Sequence, residues 1–269
     1  MGDATIALLG AGVMGSTLLA ALVRSGHDPA HLLVSDKSAD RARQVAAPFG
    51  ARATSVHEAV AVANVVLLAV KPQDMATLME EIREEIQPGT LVISIAAGIS
   101  TTFLERRLPE GTAVVRVMPN TAALVDQGMS AMSPGRECTP AQIEQARVLL
   151  SNVGRVIVIE ELHQDAVTAV SGSGPAYIFY VVEAMIEAGV LLGLPRDTST
   201  ELVVQTLYGA ATMMRETDQH PTVLREQVSS PGGTTVAALR ALEDHKVRAA
   251  FLTAIEAAAR RSHELSPPA

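Results

Sequence analysis

The feature that most restricts the fold of this chain is a short apolar run, Thr5-Ile6-Ala7-Leu8-Leu9, that empties into Gly10, Gly12 and Gly15. Three glycines at this spacing serve a strand that turns sharply into a helix. Gly10 permits the tight bend, Gly12 leaves backbone open to close approach by a pyrophosphate, and Gly15 lets the helix pack against the strand. The helix start offers unpaired amides and the positive end of its dipole, a seat for phosphate groups.

The residues that follow extend this turn into a layered fold. Val13 to Arg24 carries Met14, Leu18 and Leu22 on one face, which predicts a helix lying on a sheet, with Gly26 as its stop. His31 to Ser35 reads as the second strand. Asp36 stands at its end, about twenty residues past Gly15, where a carboxylate accepts hydrogen bonds from an adenosine ribose. Ser38 caps a helix to Phe49, Ala51 to Thr54 is a short strand, and Ser55 with Glu58 forms a capping box. Val65 to Val70 is continuously apolar, the mark of a strand covered on both faces. Met75 to Ile86 and Thr102 to Leu108 read as helices, Leu91 to Ile95 and Ala113 to Met118 as strands. Met129 to Met132 and Arg155 to Ile159 read as edge strands around a helix begun by Thr139-Pro140.

This alternation predicts an α/β protein with an N-terminal Rossmann-like doubly wound sheet, whose ligands lie beyond the carboxyl ends of the strands. Asp36, Lys71-Pro72, Ala96 to Gly98 and Pro119-Asn120 all fall just after strands, on the rim of the glycine turn. Small residues at 96–98 let a flat ring lie against backbone.

Beyond residue 160 the period is helical only. Leu162 to Val170, Pro175 to Leu192, Asp197 to Met214, Pro221 to Val228, Thr234 to Leu242 and Val247 to Leu265 all read as helices. The expected domains are 1–161, which binds a dinucleotide, and 162–269, an all-α dimerisation and substrate domain. Helix Pro175 to Leu192 is apolar almost all round, more than a small domain can cover by itself, so a second copy is expected against it. Within the helical half, Ser229-Ser230-Pro231-Gly232-Gly233-Thr234-Thr235 forms a nest of amides suited to a carboxylate. Ser171-Gly172-Ser173-Gly174-Pro175 makes a similar bend.

Composition removes several classes of function. With 21 basic against 29 acidic residues, a net charge of -8 and only 3% aromatics, the chain is not expected to meet nucleic acid or an anionic membrane. Its one cysteine, Cys138, allows no internal disulfide and no cysteine-rich metal site, which fits a reducing cytoplasm. No basic region precedes the first apolar run, so no signal peptide is expected. Ala176 to Leu194 approaches membrane length but holds Glu183 and Glu187, each costing about 2.5–3.5 kcal/mol at a bilayer centre, so a buried helix of a soluble protein is expected. The seven histidines mostly fall on surface-like turns or polar helix faces, and no pair has metal-ligand spacing. Gly172-Ser173-Gly174 does not follow a strand, so it is no nucleophile elbow. The inventory suits positioning, a hydride donor and neutral hydrogen-bond donors.

Taken together in order, Gly10-Ala11-Gly12-Val13-Met14-Gly15, Ala69-Val70-Lys71-Pro72, Ser94-Ile95-Ala96-Ala97-Gly98, Arg116-Val117-Met118-Pro119-Asn120-Thr121, Val170 to Tyr177 and Ser229 to Thr235 resemble the signatures of the pyrroline-5-carboxylate reductase family over nearly the whole chain. The resemblance implies reduction of the cyclic imine of 1-pyrroline-5-carboxylate to L-proline, the last step of proline biosynthesis, by NADPH or NADH. It implies that Leu9, Gly10, Ala11, Gly12, Val13, Met14 and Gly15, with Ala69, Val70, Lys71 and Pro72, hold the cofactor. Ile95, Ala96 and Ala97 would lie toward its nicotinamide, and Asn120 and Gln227 would also face the cofactor. Thr235 would bond the imine nitrogen, Ser230 would share the catalytic loop, and Gly232, Gly233, Thr234 and Asp218 would bind substrate. It further implies a homodimer through the C-terminal helices, an active site shared between chains and dimers joined into larger rings.

Two departures stand out. Asp218 and Gln227 replace the Glu and Asn usual in relatives, keeping polarity but changing reach. Asp36 stands where many relatives have small hydroxyl residues suited to a 2′-phosphate; its carboxylate repels that group and favours NADH, with neighbouring Lys37 as the compensating charge. Two other readings stay open on sequence: a β-hydroxyacid dehydrogenase, which would need a lysine base where the helical half has only Lys246, and a non-catalytic dinucleotide sensor.

Overall fold

The computed structural model describes residues 4–266. These divide into two compact units, one running to Ser173 and resuming at Ala258, the other spanning Gly174–Ala257.

The first unit alternates strand and helix: β1 (Ile6–Leu9), α1 (Val13–Arg24), β2 (Leu32–Ser35), α2 (Ala39–Ala46), β3 (Arg52–Ala53), α3 (Val56–Ala61), β4 (Val65–Leu68), α4 (Met75–Ile82), β5 (Leu91–Ser94), α5 (Thr101–Glu105) and β6 (Ala113–Met118). There follow β7 (Gly128–Pro134), α6 (Pro140–Leu150), β8 (Gly154–Val158) and α7 (Gln164–Val167). The sheet order is β3-β2-β1-β4-β5-β6-β7-β8, with β1 to β6 parallel and β7 antiparallel to β6. Strand order reverses between β1 and β4, the switch point at which such sheets open a crevice. Every residue of β1, β2, β4 and β5 is buried. Alternate side chains feed two cores: Leu8, Leu67 and Ile93 meet α1, α2 and α6, while Leu9, Leu68 and Val92 meet α3, α4 and α5. Packing on both faces explains why these strands read as unbroken apolar runs.

Three details depart from the sequence reading. β7 is not an edge strand; it pairs with β6 on one side and β8 on the other, leaving β8 at the edge. β4 ends at Leu68; the Ala69 N–H makes a last ladder bond to Leu9 O (2.8 Å), and the chain then turns off the sheet. His27 is buried, not on a surface turn, and its Nε2 pairs with Ala4 O at 2.9 Å.

The expected helix over 162–170 is broken. A 3-10 turn, Glu161–His163, precedes α7, and a π-turn, Thr168–Gly172, follows it. Tertiary bonds account for the break: the buried Gln164 amide donates to Ala131 O and Ser133 Oγ, and Ser171 O is taken by the sheet rim. The chain end returns to this unit, where Ser262 Oγ donates to Asp165 Oδ1 (2.6 Å).

The second unit holds α8 (Gly174–Leu191), α9 (Arg196–Thr217), α10 (Pro221–Gln227), α11 (Thr234–Asp244) and the start of α12 (Val247–Leu265). α8 and α9 pack closely: Ser199 Oγ donates to Ile186 O (2.9 Å) and sits where any side chain at Gly189 would clash. None of the residues of α8 is buried within the chain, in keeping with a helix more apolar than its own domain can cover. Phe179 and Tyr180 are 68% and 76% exposed. By length and composition alone the run Glu161–Leu191 suffices to cross a membrane.

Candidate active site

The glycine turn is built from three different constraints. Gly10 has φ +107°, and a Cβ there would lie 2.6 Å from Ala69 O, so both conformation and the neighbouring strand end demand glycine. At Gly15 a Cβ would meet Gly10 O at 2.2 Å, because α1 presses on the turn that starts it. At Gly12 nothing of the chain lies within 4 Å of a Cβ position. Gly12 is also the N-cap of α1 and supplies no side-chain cap, so the first-turn amides face outward. Val13 is 68% exposed beside them. This arrangement fits a dinucleotide pyrophosphate: open backbone, free donors and a helix dipole.

Asp36 closes the turn from the second strand. Its Oδ2 accepts from the Ala11 N–H (2.8 Å) and its Oδ1 from the Ser38 N–H (2.9 Å). A carboxylate has about four lone-pair sites, so two remain for ribose hydroxyls. Beside it opens a cleft of about 510 Å³ lined by Leu9, Gly10, Asp36 and Val70, with Lys37, Arg43, His57, Asp74 and Glu81 on its walls. Lys37 Nζ is bonded to Asp74 Oδ1 at 2.5 Å. β2 and β4 flank β1, so this ion pair joins the loops on either side of the glycine turn. Arg43 is paired with Asp40, and His57 Nδ1 lies 2.6 Å from Glu85 Oε1. Lys37 is visible in the sequence as Asp36's neighbour, whereas its partner Asp74 stands 37 positions away in the chain and belongs to no motif.

Along the rest of the rim, Ala69 and Val70 are half-buried while Lys71 and Pro72 are exposed at the start of a 3-10 turn. Ile95 and Ala97 flank the buried Ala96, whose N–H donates to Ser94 Oγ. Asn120 differs from its neighbours. Its Nδ2 donates to Ser171 O (3.1 Å) and its Oδ1 accepts from the Met129 N–H (3.1 Å), so the amide ties β6, β7 and the π-turn together. Nearby, a Cβ at Gly172 would meet Met118 Cε at 2.6 Å.

In the second unit, Ser230-Pro231-Gly232-Gly233 is a turn in which Gly233 N–H donates to Ser230 O (3.0 Å). Pro231 supplies the fixed φ and Gly232 the positive one, +68°. Ser230 Oγ lies 2.4 Å from a Cβ position on Gly233, so a larger residue there would displace that hydroxyl. Gly233 is the N-cap of α11 without a side-chain cap, leaving the amides of Thr234 and Thr235 directed out of the helix start. Thr200, Thr206, Thr212 and Thr217 each spend their hydroxyl on the carbonyl four residues back. Thr235, in the first turn, has no hydroxyl partner among the described residues, and it is half-buried. Asp218 ends α9 in the left-handed conformation (φ 53°), and Gln227 Nε2 donates to Gln219 Oε1 (3.1 Å). The residues expected to act thus fall into two groups, one in each unit.

A family model described as pyrroline-5-carboxylate reductase dimerisation matches residues 161–265, and one described as NADP oxidoreductase coenzyme F420-dependent matches 5–98. The pyrroline-5-carboxylate reductase of Corynebacterium melassecola is 45% identical, across 97% of this chain and 98% of its own. The chain belongs to the pyrroline-5-carboxylate reductase family. Among solved structures, the pyrroline-5-carboxylate reductase of Coxiella burnetii superposes with a TM-score of 0.93 at 36% identity, covering 98% of this chain and 99% of that one. That of Plasmodium falciparum, with NADP bound, gives 0.89 at 28% identity over 99% and 100%. The first unit of this family member is therefore an NAD(P)-binding oxidoreductase fold. A 3-hydroxyisobutyrate dehydrogenase of Mycobacterium tuberculosis, at 22% identity and a TM-score of 0.51, shares fold alone, and the β-hydroxyacid dehydrogenase reading is not favoured.

Proposed function

We propose that this chain reduces 1-pyrroline-5-carboxylate to L-proline, the last step of proline biosynthesis, as a cytoplasmic homodimer that uses NADH. Full-length identity with pyrroline-5-carboxylate reductases supports the reaction, and the turn Ser230 to Gly233 leading into Thr235 is the observation that carries it to particular atoms. Residues 1–161 serve the dinucleotide and 162–269 the substrate and the dimer. A bound reduced nicotinamide supplies the hydride. The chain's own groups bind and orient. Leu9 to Gly15 and Ala69 to Pro72 hold the cofactor, and Ile95 to Ala97 flank its nicotinamide end. Within the loop Gly232 to Thr235, the outward amides of Thr234 and Thr235 hold the substrate carboxylate, while the uncommitted Thr235 hydroxyl bonds the imine nitrogen. Asp218 and Gln227 end the two helices that lead into this loop. A protonated imine is already electrophilic, so positioning it supplies much of the rate, up to about 7–11 kcal/mol in ideal cases.

The choice of NADH rests on Asp36. Its two free lone pairs suit ribose hydroxyls, and its charge repels a 2′-phosphate carrying about -1.5 to -2.

The test is nicotinamide oxidation with synthetic 1-pyrroline-5-carboxylate, alongside Thr235→Ala. The variant is expected to fold and to lose about 10- to 1000-fold in kcat/KM, as for one hydrogen bond made at the reacting centre. Absence of turnover by the unmodified chain would refute the assignment.

A further inference from the structure

We propose that Asp74 is a specificity-determining residue of the cofactor cleft: by engaging Lys37 it cancels the cation that directly follows Asp36 and that could welcome a 2′-phosphate. The proposal rests on the NADH reading and names a second source for it.

The geometry is specific. Lys37 follows Asp36 directly at the end of β2, and its Nζ bonds Asp74 Oδ1 at 2.5 Å. Both residues line the same cleft as Asp36 and Gly10. Lys37 is 73% exposed at its side chain and Asp74 only 30%, so the carboxylate is the better-held partner. Asp74 occupies the N-cap position of α4 yet makes no capping bond, and Lys37 is its one side-chain partner among the described residues. Its charge lies at the start of the helical run toward α4, favourable to the helix dipole, and at the same time faces the cleft.

An exposed ion pair is individually weak, so breaking the Lys37–Asp74 bond is not the obstacle to a phosphate. The obstacle is the charge that stays behind. Wherever Lys37 turns, the Asp74 carboxylate remains in the cleft wall, and the pair sums to nearly zero in the field of an approaching anion. Asp36 then acts uncompensated, its own bonds being to amides and not to a cation. The other basic side chains on the wall are likewise engaged, the Arg43 guanidinium by Asp40 and the His57 imidazole by Glu85 and Glu81.

Asp74→Asn keeps the shape and removes the charge. Calorimetric titration with NAD⁺ and NADP⁺ reads binding without turnover. NADP⁺ affinity is expected to rise about fivefold to tenfold, the effect of deleting one like charge several ångströms from a phosphate in screened surroundings, with NAD⁺ affinity within about twofold. The kcat/KM ratio for NADPH over NADH should move the same way. In the Asp74→Asn background, Lys37→Ala should abolish the gain, while Lys37→Ala alone, which leaves Asp74 unbalanced beside Asp36, should lower NADP⁺ affinity about fivefold to tenfold. An unchanged NADP⁺ affinity in folded Asp74→Asn overturns the role of Asp74 and leaves the NADH reading standing. A gain that survives Lys37→Ala overturns the route through Lys37. A preference of the unmodified chain for NADP⁺ overturns the NADH reading itself, and is read from the same titrations.

Discussion

At the scale of single residues, the three glycines of the first turn do three separable jobs. Gly15 is held by contact with Gly10 O inside the fold, while Gly12 has open space where a side chain would go. Gly15→Ala should therefore lower thermal stability, since a Cβ 2.2 Å from a carbonyl cannot be accommodated without moving helix α1. Gly12→Ala should leave the melting temperature within about 2 °C, as surface substitutions usually do. Its NADH affinity should nevertheless fall by about tenfold or more, because the methyl stands where the pyrophosphate must approach backbone. Equal melting and equal cofactor affinity for Gly12→Ala would refute that placement. Asp36 shows the same economy. One carboxylate braces the glycine turn through the Ala11 amide and keeps lone pairs for a ligand.

Among elements, α3 and α6 carry the same start signal in two chemical versions. Ser55 and Glu58 form a reciprocal capping box at α3, and Thr139 and Gln142 form one at α6. Hydrogen bonds from Thr54 and then Ser55 hold the Glu58 carboxyl below the usual carboxylate range. A carboxyl depressed in the folded chain contributes stability above its unfolded pKa and loses it as pH falls toward the folded value. Gln142 does not titrate. Thr139→Ala should cost about 1 kcal/mol, or about 2–4 °C in Tm, at any mildly acidic or neutral pH. The cost of Ser55→Ala should shrink on acidification through the carboxylate range. Thermal melts of both variants at neutral pH and near pH 4 check this (about the model-peptide Glu value), and a pH-independent Ser55→Ala cost would sink it.

For the whole molecule, α8 sets the main constraint. An apolar helix with no buried residue, its own Tyr180 and Leu191 76% and 88% exposed, needs a cover. The dimerisation family model covers this helix, and a second copy is its expected cover. Folding linked to association makes stability depend on concentration. Sedimentation at micromolar concentration should find a dimer or larger assembly, and Tm should rise with protein concentration. A monomer whose Tm ignores dilution would overturn the arrangement.

What the sequence determined by itself is what repeats over a few residues. Helix α1, strand β6 and helix α12 have the bounds that periodicity and caps imply, and the glycine spacing announced the turn at β1, because such signals act between neighbours along the chain. The Ser230 to Thr235 loop was legible for the same reason, its proline and glycines encoding the turn locally. The tertiary structure decided the rest. It paired Lys37 with Asp74, spent the Asn120 amide on Ser171 and Met129, and broke the helix before Gly172 into a π-turn. No local period records such contacts, since partners distant in sequence meet only when the strands take their order in the sheet. Which charges in the cofactor cleft are free is a property of that order.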